Sequence, residues 1–447
     1  MDFLPHTAAD LAAMLEALGI DDIDDLFDPV PEPVRLGRDL DVPPPLDEVT
    51  LAAHMRSLAA RSKGVADLVC FAGGGAYDHH VPAAVRALAG RAEFATSYTP
   101  YQPELSQGVL QAVFEFQSLV CDIYGMEAAN ASLYDGASAV VEAVNLAVRV
   151  TKRDRVVAAG TLHPHYAEVT RTYTSALDLD IEVAAIGEDG TTEWGAVDLA
   201  AAAAVIVPYP NFFGRLEDLA TAAERAHAAG ALCIAVVDPT AMGILESPGA
   251  QGADIVVGEG HALGNPLSYG GPYVGLLATK LENVRQVPGR IAGETLDADG
   301  RRAFVLTLQA REQHIRRAKA TSNVCTNQTL MAIAAAVHLS WLGPAGLRRL
   351  GELCARHTAI AARVLGELPE CSIRFDGARF KEIVLETPLE AGELCGRLAD
   401  RGFLVGPSLG RWFPELDRCL LIAVTEKRTE SEIRGLAEAI EKELAER

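Results

Sequence analysis

The spacing of hydrophobic and polar positions changes several times along the chain, and each change predicts a different element. Apolar residues three and four apart predict a helix over residues 1–20, with Thr7 as its cap. An acidic run, Asp21–Asp28, and a proline cluster, Pro29–Pro45, then predict an extended arm that covers its own domain or a neighbouring subunit. A second helix is predicted at Leu46–Lys63.

From about residue 66, short continuous apolar runs rich in Val and Ile alternate with helical segments. Runs of this kind are typical of strands buried on both faces, so residues 66–325 are predicted to form a largely parallel sheet between helices. The predicted strands are Arg155–Ala159, Ile181–Ile186, Ala204–Val207, Leu232–Val237, Asp254–Val257 and Tyr273–Leu277. The predicted helices of this region are Glu104–Tyr124, Ala137–Val150 and Asp218–Ala229.

Residues 326–447 show a different order of elements, which predicts a small α+β domain. The predicted helices are Thr329–Leu342, Leu347–Leu368, Leu389–Arg401 and a final one that follows its cap Thr429. The predicted strands are Ser372–Phe375, Glu382–Glu386 and Leu420–Val424. The chain is therefore predicted to have an arm at 1–65, an α/β domain at 66–325 and a C-terminal domain at 326–447.

Composition narrows the classes of partner. The 447 residues carry a formal charge of −22, which argues against nucleic acid or an anionic membrane surface, although acidic proteins without a special partner are common. The eight cysteines are scattered without a C-x-x-C pair, which is typical of free thiols in a reducing compartment. With no recognisable targeting segment and no apolar run near 20 residues, we expect a cytoplasmic protein.

The ends of two predicted strands carry the first chemical signal. The strand Leu232–Val237 ends in Asp238, and the strand that begins at Asp254 leads to His261 and Ala262. Enzymes that use pyridoxal phosphate (PLP) on an α/β scaffold pair such an Asp with the pyridinium nitrogen and use a lysine for the Schiff base. An alanine cannot form an imine. Asp238 is equally consistent with a cap of the turn that follows its strand.

Asp135 and a group of histidines lie where such a scaffold would contact its cofactor. A helix start near Asp135 would hold the cofactor phosphate, but a carboxylate there caps the helix itself and repels a phosphate. The ring of His163 is placed to stack on a cofactor, although a structural role for it and for His165 is favoured. We expect no metal site at these residues or at His79 and His80.

The densest polar and aromatic cluster precedes the helix predicted at Glu104–Tyr124. It contains Tyr98, Thr99, Tyr101, Gln102 and Glu104, with two prolines that stiffen the turn. Its hydroxyl and backbone N–H groups could face an anion. The alternative is a loop that only starts the helix.

A basic segment, Arg311–Asn327, joins the two predicted domains and is unusual in so acidic a chain. A role facing a carboxylate or a phosphate is one interpretation. Salt bridges to the acidic surface are the other.

Taken together, these residues resemble the glycine cleavage system P-protein family, and more closely subunit 1 of its two-subunit form. The similar segments are Ala8–Phe27, Phe71–Pro82, Tyr98–Gly108, Pro208–Gly214, Gly252–Gly260 and Gly293–Asn327. The resemblance implies a fold-type-I PLP-dependent transferase scaffold. It also implies that subunit 2 carries the Schiff-base lysine, at the position where this chain has Ala262. PLP would then be bound by the partner, with none held covalently by this chain.

The activity implied by the resemblance is glycine dehydrogenase (aminomethyl-transferring), active only with subunit 2 in a heterodimer that doubles to a heterotetramer. Glycine is decarboxylated and its aminomethyl group passes to the lipoyl group of H-protein. The loop Tyr98–Gln102 would contribute across the subunit interface, with Glu104 and Arg311 as weaker candidates, while Asp135, His163, Asp238 and His261 would line a vestigial pocket. The alternative is a catalytically silent subunit that only stabilises or regulates its partner.

Overall fold

The computed structural model describes residues 5–446. The chain divides into two compact units, residues 1–62 and residues 63–447. The N-terminal boundary lies close to the one predicted at residue 65. The predicted boundary at residue 325 lies inside the second compact unit, and a domain division there stays a prediction.

The N-terminal unit consists of two helices joined by an irregular segment. Helix α1 is Ala8–Leu18, helix α2 is Glu48–Ala59, and short 3-10 helices lie at Ile23–Phe27 and Glu32–Val34. Thr7 caps α1 as predicted, because its hydroxyl accepts the backbone N–H of Asp10 while the Asp10 carboxylate accepts that of Thr7. None of these four elements has a buried residue.

The second unit contains the strands and the remaining helices. Its strands are β1 Val69–Ala72, β2 Ala128–Ala129, β3 Arg155–Ala158, β4 Asp180–Val183, β5 Ala202–Tyr209, β6 Leu232–Val237, β7 Ile255–Glu259, β8 Gly275–Thr279, β9 Ile291–Leu296, β10 Arg302–Thr307, β11 Ser372–Ile373, β12 Glu382–Glu386, β13 Phe403–Gly406 and β14 Cys419–Ala423. Its helices are α3 Ala83–Ala89, α4 Ala92–Ala95, α5 Gln107–Tyr124, α6 Gly136–Thr151, α7 Pro164–Thr174, α8 Leu219–Ala228, α9 Gln313–Arg316, α10 Thr329–Gly366, α11 Ala391–Asp400 and α12 Glu430–Ala445.

Seven of these strands form the central sheet in the order β2-β8-β7-β6-β5-β3-β4. Strands β7, β6, β5, β3 and β4 run parallel, and β8 and β2 add an antiparallel edge. All eight residues of β5 are buried, because alternate side chains enter two different cores. Val205 packs with α5 and α8 on one face of the sheet, and Ile206 packs with α6 on the other.

The C-terminal part has its own antiparallel sheet, β11-β12-β14, covered by α11 and α12. Strand β13, which the sequence pattern did not predict, pairs in parallel with β1, so that Val69 lies opposite Phe403. Phe71 of β1 is buried in the core formed by this C-terminal part. Residues 69–72 therefore pack with the C-terminal elements, although the sequence placed them in the α/β domain.

Helix α10 joins two segments that were predicted as separate helices. Gly343, with φ 60° and ψ −178°, breaks the helical geometry ahead of Pro344. Within residues 5–446, α10 is the one helix whose length and apolar composition would suffice for a membrane span, and 44% of its most apolar stretch is buried in the protein. Buried residues such as Ala335 and Leu339 pack against the central sheet.

Two local features differ from the sequence prediction. Helix α5 begins at Gln107 instead of Glu104, because Pro103–Leu105 form a separate 3-10 turn. Strands β9 and β10 form an antiparallel hairpin that no sequence pattern indicated. Both features lie in the region of the polar cluster at Tyr98–Glu104, where Gln107 hydrogen-bonds both backbone groups of Phe304 in β10.

Candidate functional site

A small cavity lies at the carboxyl ends of β5, β6 and β7. This edge of a parallel sheet is where open α/β folds bind ligands. The cavity has a volume of about 70 Å³ and is lined by residues from all three strand ends and from the loop after β1. Four residues singled out from the sequence line it: His163, Asp238, His261 and Ala262.

Asp238, at the end of β6, is held from two sides. Its Oδ1 accepts the backbone N–H of Thr240 at 2.9 Å and the Thr240 hydroxyl at 2.6 Å, so it caps the turn. Its Oδ2 lies 2.5 Å from the Nζ of Lys381. Burial raises the pKa of Asp238, but the Lys381 ammonium and the hydrogen bonds lower it by more. The pKa of Asp238 therefore lies below the usual value of an aspartate.

Lys381 is the cation that the sequence did not reveal. It immediately precedes β12, far from Ala262 in sequence, and its side chain is only 1% exposed. Its Nζ also lies 4.2 Å from the centre of the Tyr77 ring. The backbone of Lys381 has φ 63°, a left-handed conformation that side-chain-bearing residues rarely adopt. The fold therefore holds this ammonium on Asp238 at a conformational cost.

The start of helix α6 carries two carboxylates. Asp135 caps the helix as predicted, since its Oδ1 accepts the backbone N–H of Ser138 at 2.7 Å. Glu259 contributes the second carboxylate: it accepts backbone N–H groups of Gly136 at 2.9 Å, His261 at 2.9 Å and Val274 at 3.2 Å. Burial raises the pKa of Glu259 to about 7. A carboxyl group of the chain itself thus occupies this helix start, and no sequence pattern indicated it.

His163 packs against a ring of its own helix. It caps α7, and its imidazole is stacked on the Tyr166 phenol with centroids 4.8 Å apart and planes 18° apart. Its Nε2 lies 2.6 Å from the carbonyl oxygen of Gly74, and burial lowers its pKa to about 4. The Tyr166 hydroxyl abuts Gly136, where an added Cβ would collide with it. One face of the His163 ring is therefore covered by Tyr166.

His261 and Ala262 are enclosed. Ala262 is 4% exposed and His261 is 1% exposed. The Nε2 of His261 accepts the backbone N–H of Tyr77 at 2.9 Å, and burial lowers its pKa to about 3. His261 thus positions the loop after β1 as a neutral ring.

Glu382 closes the cavity from β12. Its Oε1 accepts the backbone N–H of Gly74 at 2.7 Å, and its Oε2 accepts the Tyr77 hydroxyl at 3.1 Å. Burial raises the pKa of Glu382 to about 7, above the usual glutamate value of 4.5. A folded-state pKa above the unfolded value means that the folded state loses stability as pH rises from about 4.5 to about 7.

We expect Glu382→Gln to reduce this pH dependence. Glutamine keeps an oxygen for the Gly74 N–H and offers an amide to the Tyr77 hydroxyl, while it has no proton to lose. The stability difference between pH 5 and pH 8, measured by urea unfolding, should shrink but persist, since Glu259 titrates in the same direction. The exposed Glu415→Gln is the control. An unchanged pH dependence in Glu382→Gln would contradict the burial of an ionisable Glu382.

The rings of His79 and His165 have structural partners. His79 Nδ1 lies 2.6 Å from Glu426 Oε2. Burial would raise the pKa of Glu426, but His79 and backbone N–H groups lower it to about 2.

His79, Cys354 and Glu426 also place three potential ligand atoms within 4.8 Å of one another. The expectation that the chain has no metal site stays a prediction. His165 packs edge-on to Trp412 at 5.3 Å.

The loop that contains Tyr98 and Tyr101 lies elsewhere, because none of its residues lines this cavity. The two tyrosines are 73% and 63% exposed, and their rings pack edge to face at 6.5 Å. Buried Arg290 anchors the loop: its guanidinium contacts the Thr99 hydroxyl and lies 5.1 Å from the centre of the Tyr101 ring. Gln102 and Glu104 are exposed. Helix α5 begins at Gln107, so Thr99 does not start it. The choice between a functional loop and a purely structural one stays a prediction.

Comparison with known proteins gives one family over almost the whole chain. The family described as glycine cleavage system P-protein matches residues 1–440. A probable glycine dehydrogenase (decarboxylating) subunit 1 from Desulforamulus reducens is 52% identical over 441 residues, which cover 98% of each chain. A protein with the same description from Moorella thermoacetica is 46% identical over 98% of this chain and 99% of its own length.

Solved structures agree with this result. A crystal structure of glycine decarboxylase (P-protein) of the glycine cleavage system, in inhibitor-bound form, superposes with a TM-score of 0.92 at 43% identity, covering 99% of this chain and 100% of that one. The Lactobacillus brevis glutamate decarboxylase has a TM-score of 0.66 at 12% identity, covering 92% of this chain and 95% of its own. At 12% identity, the similarity to glutamate decarboxylase shows a shared fold only. The predicted fold-type-I PLP scaffold is confirmed.

Proposed function

The chain belongs to the glycine cleavage system P-protein family, and on that premise we propose that it is the lysine-free subunit of a two-subunit glycine decarboxylase. In the proposed complex, glycine loses CO2 and its aminomethyl carbon bonds to one sulfur of the lipoyl disulfide of H-protein. The other sulfur leaves as a thiolate and takes a proton. PLP held by subunit 2 supplies the electron sink for decarboxylation.

The observation that carries this proposal is that the residues of this chain's own pocket do not fit PLP. Ala262 has no amine, and the Lys381 ammonium lies on Asp238. At the start of α6, Glu259 accepts the N–H of Gly136 and Asp135 accepts the N–H of Ser138. The remaining cavity of about 70 Å³ is small beside the roughly 300–1,000 Å³ of ordinary ligand pockets. No step of the reaction is therefore assigned to this pocket, and the cofactor is assigned to the partner.

The N-terminal unit supports the assembly with a partner. Its four elements contain no buried residue, yet the unit is rich in large apolar side chains. Leu18 is 61% exposed, Phe27 is 56% exposed and Val49 is 80% exposed. Exposed apolar surface of this extent is typical of a segment that packs against another chain. We propose that subunit 2 covers it in a heterodimer, which doubles to a heterotetramer in the cytoplasm.

The loop Tyr98–Gln102 is proposed to reach the partner's PLP or its glycine. Two exposed tyrosines on a stiff turn offer hydroxyl groups, and the buried Arg290 fixes their position. Glu104, exposed on the same turn, is a weaker candidate. Residues that touch a reacting group from a rigid support lose little entropy when the substrate binds.

Phenylalanine substitutions test this role. Tyr98→Phe and Tyr101→Phe, assembled with subunit 2, should each lower the rate of glycine–bicarbonate exchange by about tenfold or more if the hydroxyl bonds a charged group. Tyr173→Phe, on helix α7 and 61% exposed, is the matched control and should leave the rate unchanged. Size-exclusion chromatography checks that assembly is intact.

The second candidate function is a scaffold that stabilises or regulates the partner without touching the reacting groups. The filled pocket alone agrees with it equally well. Full exchange activity in both loop variants, at intact assembly, would favour this alternative.

A further inference from the structure

A second cavity lies away from the strand ends and is lined by basic side chains. Its volume is about 360 Å³, within the range of small-molecule sites. Five cationic residues line this basic cavity: Arg149, Arg285, Arg311, Arg316 and Lys319. Among the described residues that line it, none is acidic. This concentration of positive charge occurs in a chain of net charge −22.

The cations of the basic cavity come from three separate parts of the chain. Arg149 is in the last turn of α6, Arg285 is in the 3-10 helix Leu281–Gln286, and the other three belong to the basic segment recognised in the sequence. Arg311 is buried, whereas Arg285, Arg316 and Lys319 are exposed. The cavity thus has a buried guanidinium and an exposed cationic rim.

The two more deeply placed arginines lack partners for part of their guanidinium groups. Nε and Nη2 of both Arg149 and Arg311 are buried without a hydrogen-bond partner, and Arg311 as a whole is only 7% exposed. Burial lowers the pKa of both side chains, and the nearby Glu142 and Glu312 oppose this only in part. Within residues 5–446, none of the five cations has a carboxylate oxygen within 4.0 Å. Buried donors of this kind are normally satisfied, and here they are not, while Glu142 and Glu312 each keep one buried oxygen without a partner as well.

In the part of the chain that the structure describes, Arg311, Arg316 and Lys319 therefore form no salt bridges to the acidic surface, although such bridges are the more common role for a basic segment. Leu308 and Arg317, which flank Arg311 and Arg316, have φ values of 53° and 54°. Left-handed backbone at two bulky residues costs free energy and persists where surrounding structure requires it. The segment is thus held in this conformation although Arg311, Arg316 and Lys319 have no carboxylate partner within 4.0 Å among residues 5–446.

We propose that the basic cavity binds the phosphate group of a small molecule. Several guanidinium groups around one space match an oxyanion with more than two acceptor oxygens, because each guanidinium can bond a different oxygen pair. A single carboxylate, such as that of glycine, offers two oxygens and one charge, and it would leave most of the donors unmet. The phosphate belongs either to a free metabolite or to a group that the partner subunit presents.

Titration with inorganic phosphate tests the site directly. Calorimetry of the full chain, against chloride at matched ionic strength, should show saturable binding of phosphate. Arg316→Gln with Lys319→Gln removes two rim charges and should weaken binding by about tenfold or more. Arg301→Gln with Arg302→Gln removes the same charge from the exposed ends of the β9–β10 hairpin, outside the cavity, and should change binding less than about twofold.

The outcomes separate the alternatives without any assay of glycine turnover. Binding to the chain alone but not to its complex with subunit 2 would assign the phosphate to the partner, and binding to both would assign it to a free metabolite. Absence of saturable binding, or equal loss in the two double variants, would overturn the proposal. It would also be overturned if phosphate does not bind and Arg316→Gln with Lys319→Gln prevents assembly, because carboxylates of the partner would then be the occupant.

Discussion

Replacing Lys381 by methionine is expected to destabilise the chain by about 3–5 kcal/mol, because breaking a buried ion pair leaves an uncompensated charge. The Lys381 side chain is 1% exposed and that of Asp238 is 12% exposed, so the carboxylate left behind has little access to water. Methionine fills similar space, and the effect therefore reports the charge more than a cavity. Urea unfolding at pH 7 measures it.

Two comparisons make this result specific to the ion pair. Asp238→Asn with Lys381→Met removes both charges and should recover most of the loss. Lys280→Met breaks a pair of the same length, 2.5 Å to Asp254, but Lys280 is 36% exposed and Asp254 keeps bonds from His227 and from the N–H of Cys233. It should cost less than Lys381→Met, because the Lys280 ammonium already lies partly in water and Asp254, although only 5% exposed, keeps these two bonds. Equal losses in Lys381→Met and Lys280→Met would contradict the role assigned to Lys381.

Restoring the missing amine alone is expected to fail. With Ala262→Lys, Lys381 still occupies Asp238 and Glu259 still occupies the start of α6, so PLP should give no covalent adduct. Adding Glu259→Gly and Lys381→Met frees both positions, and the pyridinium of PLP can then replace the lost ammonium. Borohydride trapping and peptide mass spectrometry should find at least about tenfold more adduct at residue 262 in the triple variant.

The single variant decides the interpretation. If Ala262→Lys alone traps PLP stoichiometrically, the pocket was lacking only its lysine, and the roles of Lys381 and Glu259 as occupants are wrong. Wild-type chain treated in the same way measures adventitious labelling of its seven lysines. The melting temperature of each variant shows whether the fold survives the substitution.

The regular parts of the fold could be predicted because their signals are local. Strand β6 matches its predicted bounds, Leu232–Val237, since a continuous apolar run between turn residues has few other uses. The capped helices α1 and α12 follow from Thr7 and Thr429, whose hydroxyls bond the third residue of the helix. The hairpin β9–β10 was missed, because its strands are partly exposed and mix charged with apolar residues.

The pocket could be predicted only in part, for a physical reason. Ala262 and Asp135 are local departures from a strand–turn–helix pattern, and a sequence displays them directly. Lys381 reaches Asp238 across 143 positions of the chain, and Glu259 contacts Gly136 across 123. Contacts of this separation depend on the closed fold. A charged residue such as Lys381, placed just ahead of an apolar strand, is only a weak sequence signal of such a contact.

The most direct test of the proposed function is glycine–bicarbonate exchange by the purified chain, with and without subunit 2, at saturating PLP. We expect no exchange and no PLP absorbance retained by this chain alone. Mixing it with subunit 2 should produce both, with the two proteins co-eluting as one complex. Exchange by this chain alone would contradict the assignment of the cofactor to its partner.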